Sequence, residues 1–173
     1  MDQSRQDQVD FAKHFERAQG WLLLEKFDEA GKALRAIPPA FRRRHEVKSV
    51  RAQLYLATRQ WKRAEPVLRQ LLKQDEGEPQ HWVSLAFAVR RAKSIADAEP
   101  ILLEARQRFP KEAIIWFNLA CYAAQQGRLS EVPALLREAI RLEPKITELA
   151  KTDSDLAPYW ADDVAKTCGP VIH

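Results

Sequence analysis

Ala30, Ala64, Ala98 and Val132 stand 34 residues apart, and three further columns keep the same step. Leu34, Leu68, Leu102 and Leu136 form one, Ile37, Leu71, Ala105 and Ala139 the next, and Ala18, Ala52, Ala86 and Ala120 the third. Four columns in register through four units predict an array of helix-turn-helix repeats. One such unit cannot bury its apolar face alone, so neighbours must stack, and the stack presents an extended surface that suits binding better than chemistry.

Four units over 11–146 (11–44, 45–78, 79–112 and 113–146) take up most of the 173 residues. They leave a polar segment at 1–10 and a closing segment at 147–173, too little for a second domain. A hydrophobic content of 46% supplies a continuous core, and 30% charged residues suit an array with much exposed surface. Met1–Asp10 contains no apolar run of the kind found in a secretory leader, and no stretch approaches the roughly 18 apolar residues that span a bilayer. A cytoplasmic protein without membrane contact is expected. Cys121 lies in a periodic helix and Cys168 near the end, a count and spacing that fit neither a disulfide framework nor a zinc site. Both are expected to be free thiols, Cys121 a buried one.

Within each unit the apolar spacing is helical, with a break that separates an inner (first) from an outer (second) helix. In the third unit Trp82, Leu85, Ala86 and Val89 follow three- and four-residue steps, and Ile95, Ala98, Leu102 and Ala105 do so after a turn at Lys93 and Ser94. Ser94 with Asp97 reads as a helix-start cap, Ser130 as another, and Gly127 as a turn residue. Pro79 marks an inner-helix start, while Pro110 and Pro144 follow outer helices. Pro66 and Pro100 fall inside outer helices, where a kink or a tight first turn is expected.

These residues resemble the tetratricopeptide repeat family. Trp82, Leu85, Ala86, Ala98, Leu102, Ala105 and Pro110 occupy its signature positions in the third unit, and Trp116, Leu119, Ala120, Gly127, Leu136, Ala139 and Pro144 do so in the fourth. In the first two units His14 and Lys48 stand where the aromatic belongs, Arg17 and Arg51 replace Leu, and Pro38-Pro39 shortens the first outer helix, although Phe27 and Trp61 keep their places. The resemblance implies an all-α solenoid of about four repeats forming a right-handed superhelix. Ile146, Leu149, Ala150, Leu156, Tyr159, Trp160 and Val164 mark a C-terminal helical cap, needed because terminal units must hide an open face. Leu149 to Leu156 and Asn118 to Tyr122 are similar to segments of bacterial members.

In the family, ligands lie in a concave groove lined by inner helices. The matching positions here are Phe15, Gln19, Leu22, Ser49, Gln53, Leu56, Val83, Phe87, Arg90, Arg91, Phe117, Cys121 and Ala124. The subgroup that clamps the C-terminal carboxylate of heat-shock chaperones uses Lys, Asn and Arg, whereas Phe15, Gln19, Val50, Gln80 and Ser84 stand at those places here, which excludes that activity. An apolar groove anchored by Phe15, Val83, Phe87 and Phe117 is expected to take an amphipathic helix or apolar peptide. The competing reading is that these aromatics pack between units or lie under the chain's own tail.

Residues 41 to 74 hold ten Lys or Arg against two Glu, so the net charge of +4 conceals a strongly basic second unit. Arg42, Arg43, Arg44, Lys48 and Arg51 are its densest run and a candidate anion patch. It lacks the interleaved aromatics of a single-strand binder and the motifs of a duplex reader, so nucleic acid is not expected and a solvated face is. His14, His45, His81 and His173 are scattered without metal-ligand spacing. Asp153, Asp155, Asp162 and Asp163 lack a calcium-loop pattern, and five glycines include no phosphate loop. The expected protein is therefore a non-catalytic adaptor without cofactor or metal, binding a protein or peptide, with self-association left open. The alternatives are a chaperone-like assembly or secretion factor and a binder of acidic partners or nucleic acid through the basic second unit.

Overall fold

A computed structural model describes residues 3–168, with side chains to residue 162. The expectations placed on Asp163, Val164, the Cys168 thiol and His173 lie outside the described side chains. Among the described residues ten α-helices run in order: α1 (Gln3–Leu23), α2 (Phe27–Ala36), α3 (His45–Ala57), α4 (Trp61–Gln74), α5 (Pro79–Ala92), α6 (Ile95–Arg108), α7 (Ala113–Gln125), α8 (Val132–Leu142), α9 (Ile146–Thr152) and α10 (Ala157–Cys168). Short 3₁₀ turns occupy Pro39–Phe41 and Ser154–Leu156, and no strand occurs among the described residues.

The polar segment expected ahead of the repeats is helical from Gln3. Gln3 donates to Asp7 at 2.9 Å and Gln6 to Asp10 at 3.1 Å, one turn apart on the surface of α1, and such pairs support a helix that buries little there.

Two compact units form, Met1–Ala92 and Lys93–His173, with their boundary inside the repeat assigned to 79–112. In the first, α1 packs on α2, α3 on α4 and α4 on α5, while α3 also meets α1 and α2. In the second, α7 packs on both α6 and α8, and the closing segment returns to it: α9, the Ser154–Leu156 turn and α10 all contact α7. All sixteen residues of the four columns are buried, none more than 6% exposed. Small side chains at these positions let helix axes approach, and Leu and Ile fill the space beside them.

Three of the turns between inner and outer helices share one hydrogen-bond pattern that residue types conceal. Glu25, Arg59 and Gly127 adopt positive φ (56°, 56° and 75°) at positions 34 or 68 residues apart. Their N–H groups donate to Leu22, Leu56 and Ala124, and the next N–H groups donate to Trp21, Tyr55 and Ala123. This pair of bonds is the Schellman closure of a helix, which favours glycine because a Cβ is strained in the left-handed region. Only the fourth repeat supplies Gly. The third turns differently: Ser94 is extended and its Oγ accepts the Asp97 N–H at 3.1 Å, the expected cap.

Ser130 does not cap α8, which starts at Val132 after Glu131 with Pro133 in its first turn. Proline already removes one of the unpaired donors that a serine cap would satisfy. Pro66 and Pro100 lie within the continuous helices α4 and α6. Trp82 and Trp116 show why the aromatic column matters. Each indole N–H donates to the carbonyl six residues earlier, Glu76 at 3.1 Å and Pro110 at 2.9 Å, pinning the connector that precedes its helix.

Candidate binding cleft

α3 lines a cavity on each of two faces. Its residues 45, 49, 52, 53 and 56 look onto a cleft of about 540 Å³ closed by α5 through Gln80, His81 and Ser84, by α4 through Leu68 and Leu71, and by Asp75 and Glu78 of the connector between them. Ser49, Gln53 and Leu56 of the expected groove therefore meet here. Phe87 lies two turns along α5 from Gln80 and one from Ser84, on the same helical stripe. It is 38% exposed, meets Trp61 edge-on at 5.4 Å, and carries the Arg91 guanidinium over its ring at 5.4 Å. The cleft is more polar than expected, lined by hydroxyl, amide and imidazole groups as well as Leu56.

Elsewhere the expected groove residues separate. Phe15 and Leu22 are half-buried against the core cluster formed by Ala18, Ile37, Val47 and their neighbours, and Phe15 stacks on Phe11 at 5.5 Å, so both serve the core of the first unit. Gln19 is exposed, and Val83 and Arg90 are half-buried. Phe117, Cys121 and Ala124 are buried, which corrects their assignment to an open groove. They share one stripe of α7, and the closing segment lies against that helix, with Gln125 Nε2 donating to the Asp155 carbonyl at 2.8 Å. In this repeat the tail does cover the inner helix.

The basic run does not form one patch. Arg42 closes the end of α2, donating from Nε to the Ile37 carbonyl at 2.7 Å and from Nη2 to the Arg35 carbonyl at 2.9 Å. Arg44 sits over Phe11 and Phe41, 4.7 and 4.5 Å from their ring centres, and pairs with Glu46 at 3.6 Å. Lys48 is buried, Arg43 is exposed, and Arg51 is half-buried on the other face of α3. Neighbours in sequence point to different surroundings because successive helical residues are about 100° apart.

The four histidines are not all scattered. His45 and His81, from adjacent repeats, bring their rings to 5.3 Å at the polar end of the cleft. Their spacing of 36 residues is two more than the repeat period, so the columns alone do not pair them. His81 Nδ1 is buried without a hydrogen-bond partner. Burial, and then the neighbouring His45, hold the His81 imidazole below the usual histidine range, while Glu78 and Asp75 pull the other way. With a depressed folded-state pKa, the unfolded chain binds the proton more readily. The penalty is complete below the folded value and vanishes as pH rises past the ordinary 6.5. Denaturant unfolding should therefore show stability falling as the pH drops from neutral through that range, and His81→Gln should flatten the slope. An unchanged slope in the variant would assign it elsewhere.

One group among the described residues has metal-ligand proximity: Cys121 Sγ and the carboxylates of Asp153 and Asp155, within 4.8 Å of one another. Asp153 Oδ1 accepts the Asp155 N–H at 2.8 Å and so caps the Ser154–Leu156 turn. The group is that cap beside a core cysteine, and nothing independent marks a ligand there.

The paired helices, their Schellman turns and an amphipathic cleft between inner helices define an all-α helical-repeat protein of the solenoid class, a class that works by protein contact. The sequence model of the tetratricopeptide repeat matches residues 50–110 and 90–145, more than half of the chain, and the protein belongs to that family. The first repeat, where His14 and Arg17 depart from the pattern, lies outside the match. No curated protein matches the chain. Tetratricopeptide repeats mediate protein–protein interaction and are typically non-catalytic scaffolds. No helix among the described residues is long and apolar enough to cross a membrane.

Proposed function

We propose that the protein is a non-catalytic adaptor whose α3–α5 cleft holds a peptide segment of a protein partner. The observation that carries this reading is Phe87, an exposed aromatic beside a cleft whose walls offer Ser49, Gln53, Gln80 and Ser84 for hydrogen bonds. An apolar side chain of the partner buries against Phe87 and Leu56 while its backbone meets the amides and hydroxyls, a division of labour common to peptide grooves. The dispersal of the basic run speaks against a continuous track for a nucleic-acid backbone. A chain with two cysteines and no disulfide framework in its sequence suits a reducing compartment, and we place the interaction in the cytoplasm.

Affinity capture with Phe87→Ala and with Gln53→Arg tests this reading. Both positions are exposed, so helicity and melting should stay close to those of the parent. Loss of a well-packed interface aromatic costs about 2 kcal/mol or more, and partner recovery should fall to a few per cent. Folded variants that recover every partner at full yield would move the binding site off this cleft.

A further inference from the structure

The second face of α3 lines a separate cavity of about 630 Å³, the size of a small-molecule site. Lys32 and Arg35 from α2, Arg42 after it, Arg51 from α3 and Arg63 from α4 border it, against one carboxylate, Asp28. The cationic charge is mostly uncompensated. Lys32 is paired with Glu29 at 2.5 Å, but Arg42 binds backbone carbonyls, and Arg63 binds Gln60 Oε1 and, at 3.0 Å, the Tyr55 hydroxyl. The partners of Arg42 and Arg63 are all neutral. The Arg35 and Arg51 guanidinium groups make no hydrogen bond or ion pair with a described side chain, and both border the cavity.

Four guanidinium groups border one cavity and repel one another, and no hydrogen bond or ion pair to a described side chain offsets that cost for Arg35 or Arg51. A bound anion removes that repulsion, and the requirement is for several negative charges in a small volume, which one carboxylate does not supply. Planar guanidinium forks match phosphate oxygens in pairs. Thr58 and Gln60 add polar groups at one end, and Phe27 and Leu54 give the cavity an apolar wall. We propose that this cavity is a binding site for a small, multiply charged phosphate anion, held chiefly by Arg35 and Arg51. It lies on the opposite face of α3 from the peptide cleft and does not depend on that assignment.

Pyrophosphate is the probe, titrated into the full chain by calorimetry at about 50 mM salt, where counterion effects do not mask phosphate contacts. One saturable site per chain is expected, with a melting temperature that rises with ligand concentration. Arg35→Gln with Arg51→Gln should weaken binding about tenfold or more, the loss that follows from removing charge-assisted contacts. Arg35→Glu alone, at an exposed position, serves as the second variant should the double substitution disturb folding. Phe87→Ala should bind pyrophosphate like the parent, which separates this site from the peptide cleft. Absence of saturable binding at millimolar pyrophosphate would overturn the proposal. So would full affinity in the folded arginine variants, or tighter binding of a hexaglutamate peptide than of pyrophosphate, which would make the site a dock for acidic protein.

Discussion

Ending the chain at Pro144 should produce a protein that melts at a much lower temperature, binds apolar-surface dyes and aggregates. The deletion removes α9, the Ser154–Leu156 turn and α10, all of which contact α7. Ile146, Ala150 and Leu156 are buried in those contacts, and Trp160 donates its indole N–H to the Ala150 carbonyl at 2.9 Å, tying α10 back to α9. Burial of one large aliphatic side chain contributes about 1.5 to 3 kcal/mol, so Ile146 and Leu156 together rival the lower end of a typical domain stability of about 5 to 15 kcal/mol. The exposed α7 face would add Cys121 and its neighbours to the surface. Thermal melting and dye fluorescence read both effects. A truncated chain as stable and soluble as its parent would show that the closing segment is not a cap.

The repeat period carried the fold because burial follows the columns: each small residue at a helix crossing recurs where the same crossing recurs. What the columns could not show was backbone conformation hidden under an unfavourable residue. Gly127 is legible as a turn, whereas Glu25 and Arg59 adopt the same left-handed turn with side chains that usually avoid it. Tertiary packing of the two helices on either side overrides the local preference, at a cost of about 1 to 2 kcal/mol per residue. The cleft was legible in part. Gln53, Leu56 and Phe87 follow from inner-helix register, but His45 with His81 required two repeats to be placed side by side. The basic run misled for the opposite reason. Nearness in sequence along a helix is not nearness in space, and the cavity that gathers charge draws on Lys32, Arg35 and Arg63 from outside the run.

Phe117 separates surface from core most sharply. Two inner-helix columns run through the repeats, Phe15, Ser49, Val83 and Phe117 in one, Gln19, Gln53, Phe87 and Cys121 in the other. Their members in the first three repeats are exposed or half-buried; in the fourth, Phe117 and Cys121 are both buried, and there the closing segment lies on the inner helix. Register makes Phe117 equivalent to Val83, but the tail makes it a core residue, 4% exposed against 38% for Phe87. Phe117→Ala is therefore expected to destabilise the protein by about 3 to 5 kcal/mol, the usual cost of emptying an aromatic core site. Phe87→Ala, which gives up one partly exposed ring, should cost far less. Denaturant midpoints of the two variants measured side by side decide the matter. Equal midpoints would place both rings in the same kind of environment, and a Phe117→Ala midpoint matching the parent would return that residue to the binding surface.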